Sequence, residues 1–277
     1  MDYRLPQLPV RFENSNKSTY GRVLNIAGSD YMPGAAYLSS VSALKVGCGY
    51  CFLASSERVI NAVSAQTSNV VFVPLKDVLH QLSSCDVLEI GCGLSQNQDA
   101  VELFQTVINN LSSDLPLIID ADGLNILSQM PEIFISRKFE KVVLTPHPKE
   151  AARLLDCKLE EILENVEESA KKIARIYDAV VVLKTHNTVV VSPDRGVYIN
   201  TTGNNSMAKA GSGDVLAGMI AGLIAQGMDI WEGAVLGVYL HGLCGDIAAE
   251  NITQYSVMAN DLIEYIPQAI KKYSDSL

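Results

Sequence analysis

The sequence predicts an α/β fold, a central and mostly parallel β-sheet with helices on both faces. Three observations carry this reading. Short runs rich in valine, isoleucine and leucine alternate along the chain with longer amphipathic segments. The short runs are continuously apolar rather than alternating apolar and polar, the mark of strands covered on both sides. Of the 277 residues, 48% are hydrophobic and 19% charged, enough apolar material for a sizeable core.

The elements follow in order. Strands are predicted over 23–27, 50–54, 70–73, 87–90, 117–120, 142–145, 179–184, 188–192 and 197–199, each an apolar run flanked by polar or glycine-containing stretches. Helices are predicted over 34–46, 57–65, 98–111, 149–155, 159–177, 214–226, 231–250 and 260–272. In the sixth of these, Val215, Leu216, Met219, Ile220, Leu223 and Ile224 recur at helical spacing. The segment from about 180 to 200 reads as a hairpin turning at Pro193-Asp194-Arg195-Gly196. No repeat, low-complexity tract or linker interrupts the pattern, so 1–277 reads as a single domain.

Composition narrows the function. The net charge is −10 and no dense Lys/Arg run appears, which argues against a nucleic-acid partner. A phosphate-bearing ligand would need backbone N–H groups, a few lysines or a divalent metal to offset that charge locally. The N-terminus lacks the apolar core of a signal peptide. The longest apolar run, 215–225, is about half of what a membrane span needs. No membrane partner and a cytoplasmic location are therefore expected. The six scattered cysteines read as reduced thiols. Cys48-Gly-Tyr-Cys51 is a C-x-x-C, but it closes a helix and enters a strand, the reverse of a thioredoxin-like motif, and is read as structural. No second Cys or His pair has zinc-ligand spacing.

The unusual residues cluster by position. "AGSD" (27–30), "GCG" (91–93), "DADGLN" (120–125), "TPHP" (145–148) and "KTHNT" (184–188) each follow the C-terminal end of a predicted strand. Ligands of open α/β sheets bind along that edge. A sixth stretch, "KAGSGDVLAG" (209–218), sets two glycines and a carboxylate before a strongly apolar helix. Glycines permit close approach, and free N–H groups at a helix start favour an anion. The simpler alternative makes Asp214 the N-cap of that helix.

The order "AGSD…PGAA", "GCGL", "DADGLN", "TPHPKE", "LKTHNT", "NTTGN" and "AKAGSGDVLAGMIAG" resembles the carbohydrate-kinase-like dehydratases that repair hydrated NADH and NADPH, from about Gly21 to the end of the chain. The resemblance implies the ribokinase-like three-layer fold. It implies nucleotide-dependent dehydration of (6S)-NADHX and (6S)-NADPHX to NADH and NADPH: the hydroxyl is phosphorylated, then phosphate leaves. ADP is expected in preference to ATP, with Mg2+ as cofactor. Carried over by motif, Ala36, Gly93, His147 and Asp214 face the hydrated substrate, with Asp214 as catalytic base. Lys184, Thr185, His186, Asn187, Thr188 and Gly213 face the nucleotide. Glu150, at the opening of a helix, is the candidate near magnesium. The expected assembly is a homo-oligomer, a tetramer being one form, and the functional partner is a separate NAD(P)HX epimerase, because no fused epimerase domain is visible. Two positions depart from the family pattern. Thr185 stands where the nucleotide loop usually has glycine, and Cys92 stands where proline often separates the two glycines. A small-molecule kinase for a vitamin precursor or sugar, and a non-catalytic nucleotide sensor, are the competing readings.

Overall fold

In the computed structural model, which describes residues 4–276, nine strands form one sheet. They are β1 (Arg22–Ile26), β2 (Tyr50–Ser55), β3 (Val71–Pro74), β4 (Val87–Ile90), β5 (Leu117–Ile119), β6 (Val142–Leu144), β7 (Val180–Leu183), β8 (Val189–Ser192) and β9 (Gly196–Ile199). Their order is β3-β2-β1-β4-β5-β6-β7-β8-β9. Pairing is parallel from β3 to β7, whereas β8 and β9 are antiparallel, so the hairpin expected near 180–200 is the end of a β7-β8-β9 meander. All nine predicted strands are present.

The helices are α1 (Pro33–Lys45), α2 (Glu57–Ser64), α3 (Val78–Leu82), α4 (Gln98–Asn110), α5 (Ala121–Gln129), α6 (Pro131–Ile135), α7 (Pro148–Leu154), α8 (Leu159–Glu164), α9 (Val166–Tyr177), α10 (Ser212–Ala225), α11 (Ile230–Asn251) and α12 (Ala259–Ser274). Two expectations are corrected here. The helix predicted over 159–177 is two helices, because Asn165 leaves helical geometry between them (φ −138°, ψ 55°). The "DADGLN" segment is not a loop but the opening of α5. Its Gly123 mimics a turn signal, yet it is there for packing: a Cβ would come within 2.8 Å of Ile90 O and 2.9 Å of Ile119 Cγ2.

The strands are buried on both faces. Leu24, Leu88, Ile119 and Leu144 pack into one cluster with α4, α5, α7 and α9. Their neighbours Val23, Val87, Ile118 and Val143 pack on the other side against α10 and α11. This double coverage is why the strands read as uninterrupted apolar runs. On the second side, α1 and α10 cross closely: a Cβ on Gly218 would collide with Ser39 O and Ser42 Oγ, and one on Gly222 would lie 2.5 Å from Ala43 O. That crossing brings the start of α10 to the carboxyl edge of β4 and β5. Among the described residues, no helix is long and apolar enough to cross a membrane.

Candidate active site

The start of α10 answers the question its sequence raises. Gly211 is the N-cap, with φ +93°, and helix begins at Ser212; Asp214 lies inside the first turn and caps nothing. The N-cap alternative is therefore overturned. Gly211 is required for its left-handed backbone and because a Cβ would lie 2.5 Å from Leu38 Cδ1. Gly213 has a different reason: a Cβ there would sit 3.2 Å from Lys184 Nζ, at the cation beside the helix start.

Around that start the strand ends deliver four polar side chains. Lys184, following β7, places Nζ 2.6 Å from Asp120 Oδ1, following β5. Thr145, following β6, donates to the same oxygen at 2.7 Å. Cys92, in the turn after β4, has Sγ 3.6 Å from Asp120 Oδ2, and ligand atoms of Cys92, Asp120 and Asp214 lie within 4.8 Å of one another. Ala121, directly after Asp120, adopts a left-handed conformation at φ +48°, unusual for a residue with a side chain. Asp122 anchors the turn from the next strand by accepting from Ser95 N at 2.8 Å.

Charge follows from this crowding. Burial, with Asp120 adding to it, pushes the Asp214 carboxyl up to about 6. Burial opposes the charge of Lys184, but Asp120 and Glu150 outweigh it, and the ammonium is held above its ordinary value. Burial raises the Glu150 carboxyl while Lys184 opposes the rise. His147 caps α7: its Nδ1 accepts from Lys149 N and Glu150 N, each at 3.1 Å. That leaves the Nε2–H as donor, and burial followed by the charge of Lys184 lowers the ring below its ordinary value, which keeps it neutral.

A cavity of about 690 Å³ opens from Lys184 and Gly213 toward the β8–β9 end of the sheet. It is lined by His147, Lys184, Thr185, His186, Thr188 and Gly213, six of the residues expected from sequence, and its volume suits a nucleotide. The loop 184–188 holds itself by Thr185 Oγ1 donating to Asn187 O at 2.9 Å. Thr185 is not among the residues with positive φ, so the loop does not depend on the glycine that Thr185 replaces. Asn187 is not among the lining residues. Gly93 (φ +61°) lies under α1, where a Cβ would approach Ala35 Cβ at 2.6 Å. Ala36 is fully buried; its Cβ lies where a Cβ on Gly28 would come within 2.9 Å of it.

Other residues of the site were missed from sequence. Asp120 was visible in "DADGLN" as a carboxylate directly after an apolar strand. On the far wall of the cavity, Asn200, Thr202, Gly203 and Asn204 belong to the "NTTGN" stretch, which the sequence marked without giving it a role, whereas Met207 and His241 carried no local signal. Asp246, one turn along α11, organises that wall by accepting from Gly203 N at 2.9 Å and Asn204 Nδ2 at 2.8 Å.

Residues 23–268 match the family model described as NAD(P)H-hydrate dehydratase. The chain is 38% identical to a bifunctional NAD(P)H-hydrate repair enzyme of Moorella thermoacetica, over 98% of this chain and 53% of that one. The chain thus spans about half the length of this relative. It is 36% identical to an ADP-dependent (S)-NAD(P)H-hydrate dehydratase of Neisseria meningitidis, over 87% of this chain and 82% of that one. The structure of the ADP/ATP-dependent NAD(P)H-hydrate dehydratase of Bacillus subtilis, co-crystallised with ATP/Mg2+, superposes with a TM-score of 0.83 at 31% identity, covering 96% of this chain and 94% of that one.

Proposed function

The chain belongs to the NAD(P)H-hydrate dehydratase family, and we propose that it removes water from (6S)-NADHX and (6S)-NADPHX at the expense of ADP, or of ATP with lower efficiency. One observation carries the reading: the carboxylate of Asp214 stands in the first turn of α10 near the Lys184–Asp120 pair, and Lys184 and Gly213 line a nucleotide-sized cavity.

Asp214 takes the proton of the substrate hydroxyl as its oxygen attacks the terminal phosphorus. The bond to the nucleotide breaks, giving AMP from ADP and a phosphate ester on the nicotinamide ring. The ring nitrogen then pushes phosphate out, and loss of a proton from C5 of the resulting iminium restores the ring double bond of NADH or NADPH. Hydroxide leaves poorly and phosphate well, which is why a nucleotide is consumed. Lys184 and the free N–H groups of the α10 start meet the charge on the transferring group. The His147 Nε2–H, 3.3 Å from Glu150 Oε1, would turn to donate to a substrate oxygen. Gly93 keeps the turn after β4 low enough for the ring, and the first turn of α1 at Ala36 shapes the same side.

Magnesium would neutralise phosphate charge. Its donor set must be oxygen, so the Cys92–Asp120–Asp214 cluster, with its thiol, does not fit. The buried carboxylate of Glu150, whose Oε2 accepts from His147 N at 2.8 Å and whose Oε1 lies 3.3 Å from His147 Nε2, supplies oxygen and would hold the ion together with nucleotide oxygens. An NAD(P)HX epimerase would supply the S epimer.

Incubation with hydrated NADH, magnesium and each nucleotide tests the proposal. Recovery of reduced-nicotinamide absorbance with one phosphate released per NADH is the expected result. Nucleotide turnover with a stable phosphorylated alcohol and no NADH would make it a kinase instead.

A further inference from the structure

Glu89 lies on β4 beneath the site and is fully buried. Its register partner on β1 is Asn25, also fully buried. Both residues face the α1 and α10 side, in step with Val23 and Val87. Asn25 Oδ1 and Glu89 Oε2 are each buried without a hydrogen-bond partner; among the described residues the only other such side-chain atom is Ser206 Oγ. Two acceptors placed side by side cannot satisfy each other, and leaving both unmet is costly.

The orientation of Asn25 is fixed by what lies behind it. Its Nδ2 donates to Ser39 Oγ at 2.7 Å and to Ser40 Oγ at 3.0 Å. Ser39 Oγ in turn donates to Ala35 O at 2.9 Å, so it offers Asn25 only lone pairs. Turning the amide round would lose the bond to Ser39 Oγ, whose own proton is committed to Ala35 O. With the amide in this orientation, the missing donor comes from Glu89.

Among the described residues, no cation pairs with Glu89. Lys184 is committed to Asp120. The titratable groups around Glu89 are Cys92 after its own strand, Asp120 after β5, Asp214 on α10, and Cys48 and Cys51 at the start of β2. Two of these are carboxyls and three are thiols that burial keeps protonated. Burial first, and Asp120 next, raise the Glu89 carboxyl well above the usual carboxylate range. Its other oxygen, Oε1, lies 3.6 Å from Cys92 Sγ, in the turn that faces Asp214.

We propose that Glu89 stands protonated in the resting protein, donating from Oε2 to Asn25 Oδ1, and acts as a positioning residue that fixes the Cys92 turn against Asp214. Neutral Glu89 closes a buried chain of hydrogen bonds from the first turn of α1 to the base. It does so without adding a third negative charge beside Asp120 and Asp214.

The test has two arms. The infrared arm is independent of function: above neutral pH the wild-type protein shows the carbonyl stretch of a buried carboxylic acid, and Glu89→Gln loses it. A spectrum without that band, or with the band unchanged in Glu89→Gln, overturns the proposal. The kinetic arm rests on the dehydratase reading. Glu89→Leu lowers kcat about tenfold or more while the nucleotide KM holds, and Glu89→Gln, the neutral isostere, restores it with the acid limb of the pH profile unmoved. A Glu89→Gln variant whose acid limb moves to lower pH overturns the proposal, because removing a real charge would ease ionisation of Asp214. If the band behaves as expected but wild-type protein does not dehydrate the hydrate, the functional reading fails and the protonation of Glu89 stands.

Discussion

The two ends of the cavity are built on different principles. The inner end abuts an ionic cluster assembled from strand termini: Asp120, Thr145 and Lys184 each follow a parallel strand, Asp214 enters from α10, and of these Lys184 lines the cavity. Neighbouring parallel strands end side by side, so residues distant in sequence meet without any loop having to reach. The outer end is assembled from the antiparallel margin and α11, mostly from uncharged side chains: Thr202 donates to Tyr239 O at 2.8 Å, and Asp246 holds Gly203 and Asn204 from behind. The inner end does chemistry on rigid elements, while the outer end shapes a binding wall from a loop pinned by a helix. Damage at the inner end should therefore appear in kcat, and damage at the outer end in nucleotide KM.

Replacing Asp214 with Asn is the strongest way to test that division. The shape is kept and the base is lost, so kcat should fall by roughly 10² to 10⁴-fold with the melting temperature and nucleotide affinity little changed. Steady-state kinetics beside a thermal melt would show it; a retained kcat places the base elsewhere.

Lys184→Met should instead couple activity to stability. It leaves the Asp120 carboxylate buried without its cation, at a cost of about 3–5 kcal/mol. Urea unfolding and phosphate-release assays measure the two losses. A variant as stable as wild type would mean that the pair contributes nothing to the fold.

At the outer end, Asp246→Ala should raise the nucleotide KM by roughly 10- to 100-fold, the worth of charge-assisted hydrogen bonds, with kcat nearly preserved. An equal drop in kcat would erase the distinction between the two ends.

A pH profile sharpens the comparison without mutation. Asp214 must be ionised to accept a proton, and its carboxyl titrates at about 6. The kcat should be flat above that value and fall about tenfold per pH unit below it. His241, lowered by burial to about 4, keeps its neutral form through the same fall and so adds no pH dependence of its own to nucleotide affinity.

The smallest effect is expected at Cys48 and Cys51, both free and buried. Burial raises both thiols, Cys48 to about 12, so neither is a thiolate near neutrality. Replacing both with Ala should leave kcat within about twofold in reducing buffer. A collapse of turnover in a folded variant would give the C-x-x-C a role.

Much of this was legible in the sequence because its causes are local. A strand covered on both faces must be apolar throughout, so Val142–Leu144 and Val180–Leu183 announce themselves. A lysine directly past such a run is set at the ligand edge by chain direction alone, which is how Lys184 stood out; Asp214 stood out as a carboxylate set with two glycines before an apolar helix. Other features depended on neighbours that the chain supplies from elsewhere. Gly123 looked like a turn because a glycine required by Ile90 and Ile119 is indistinguishable, in sequence, from one required by φ. Asp214 looked like a cap because only the packed structure shows that Gly211 already occupies that place. Asp246 and His241 lie on a helix whose apolar spacing gives no hint that two of its polar residues face a cavity. Glu89 in "VLEIGCG" reads as an oddity until β1 sets Asn25 beside it. Sequence alone determined the periodicity, the strand ends and the residues hung on them, because those follow from backbone geometry within a few residues. Only the tertiary structure decided which side chains share a proton, a cation or a wall, because those depend on distances between elements far apart along the chain.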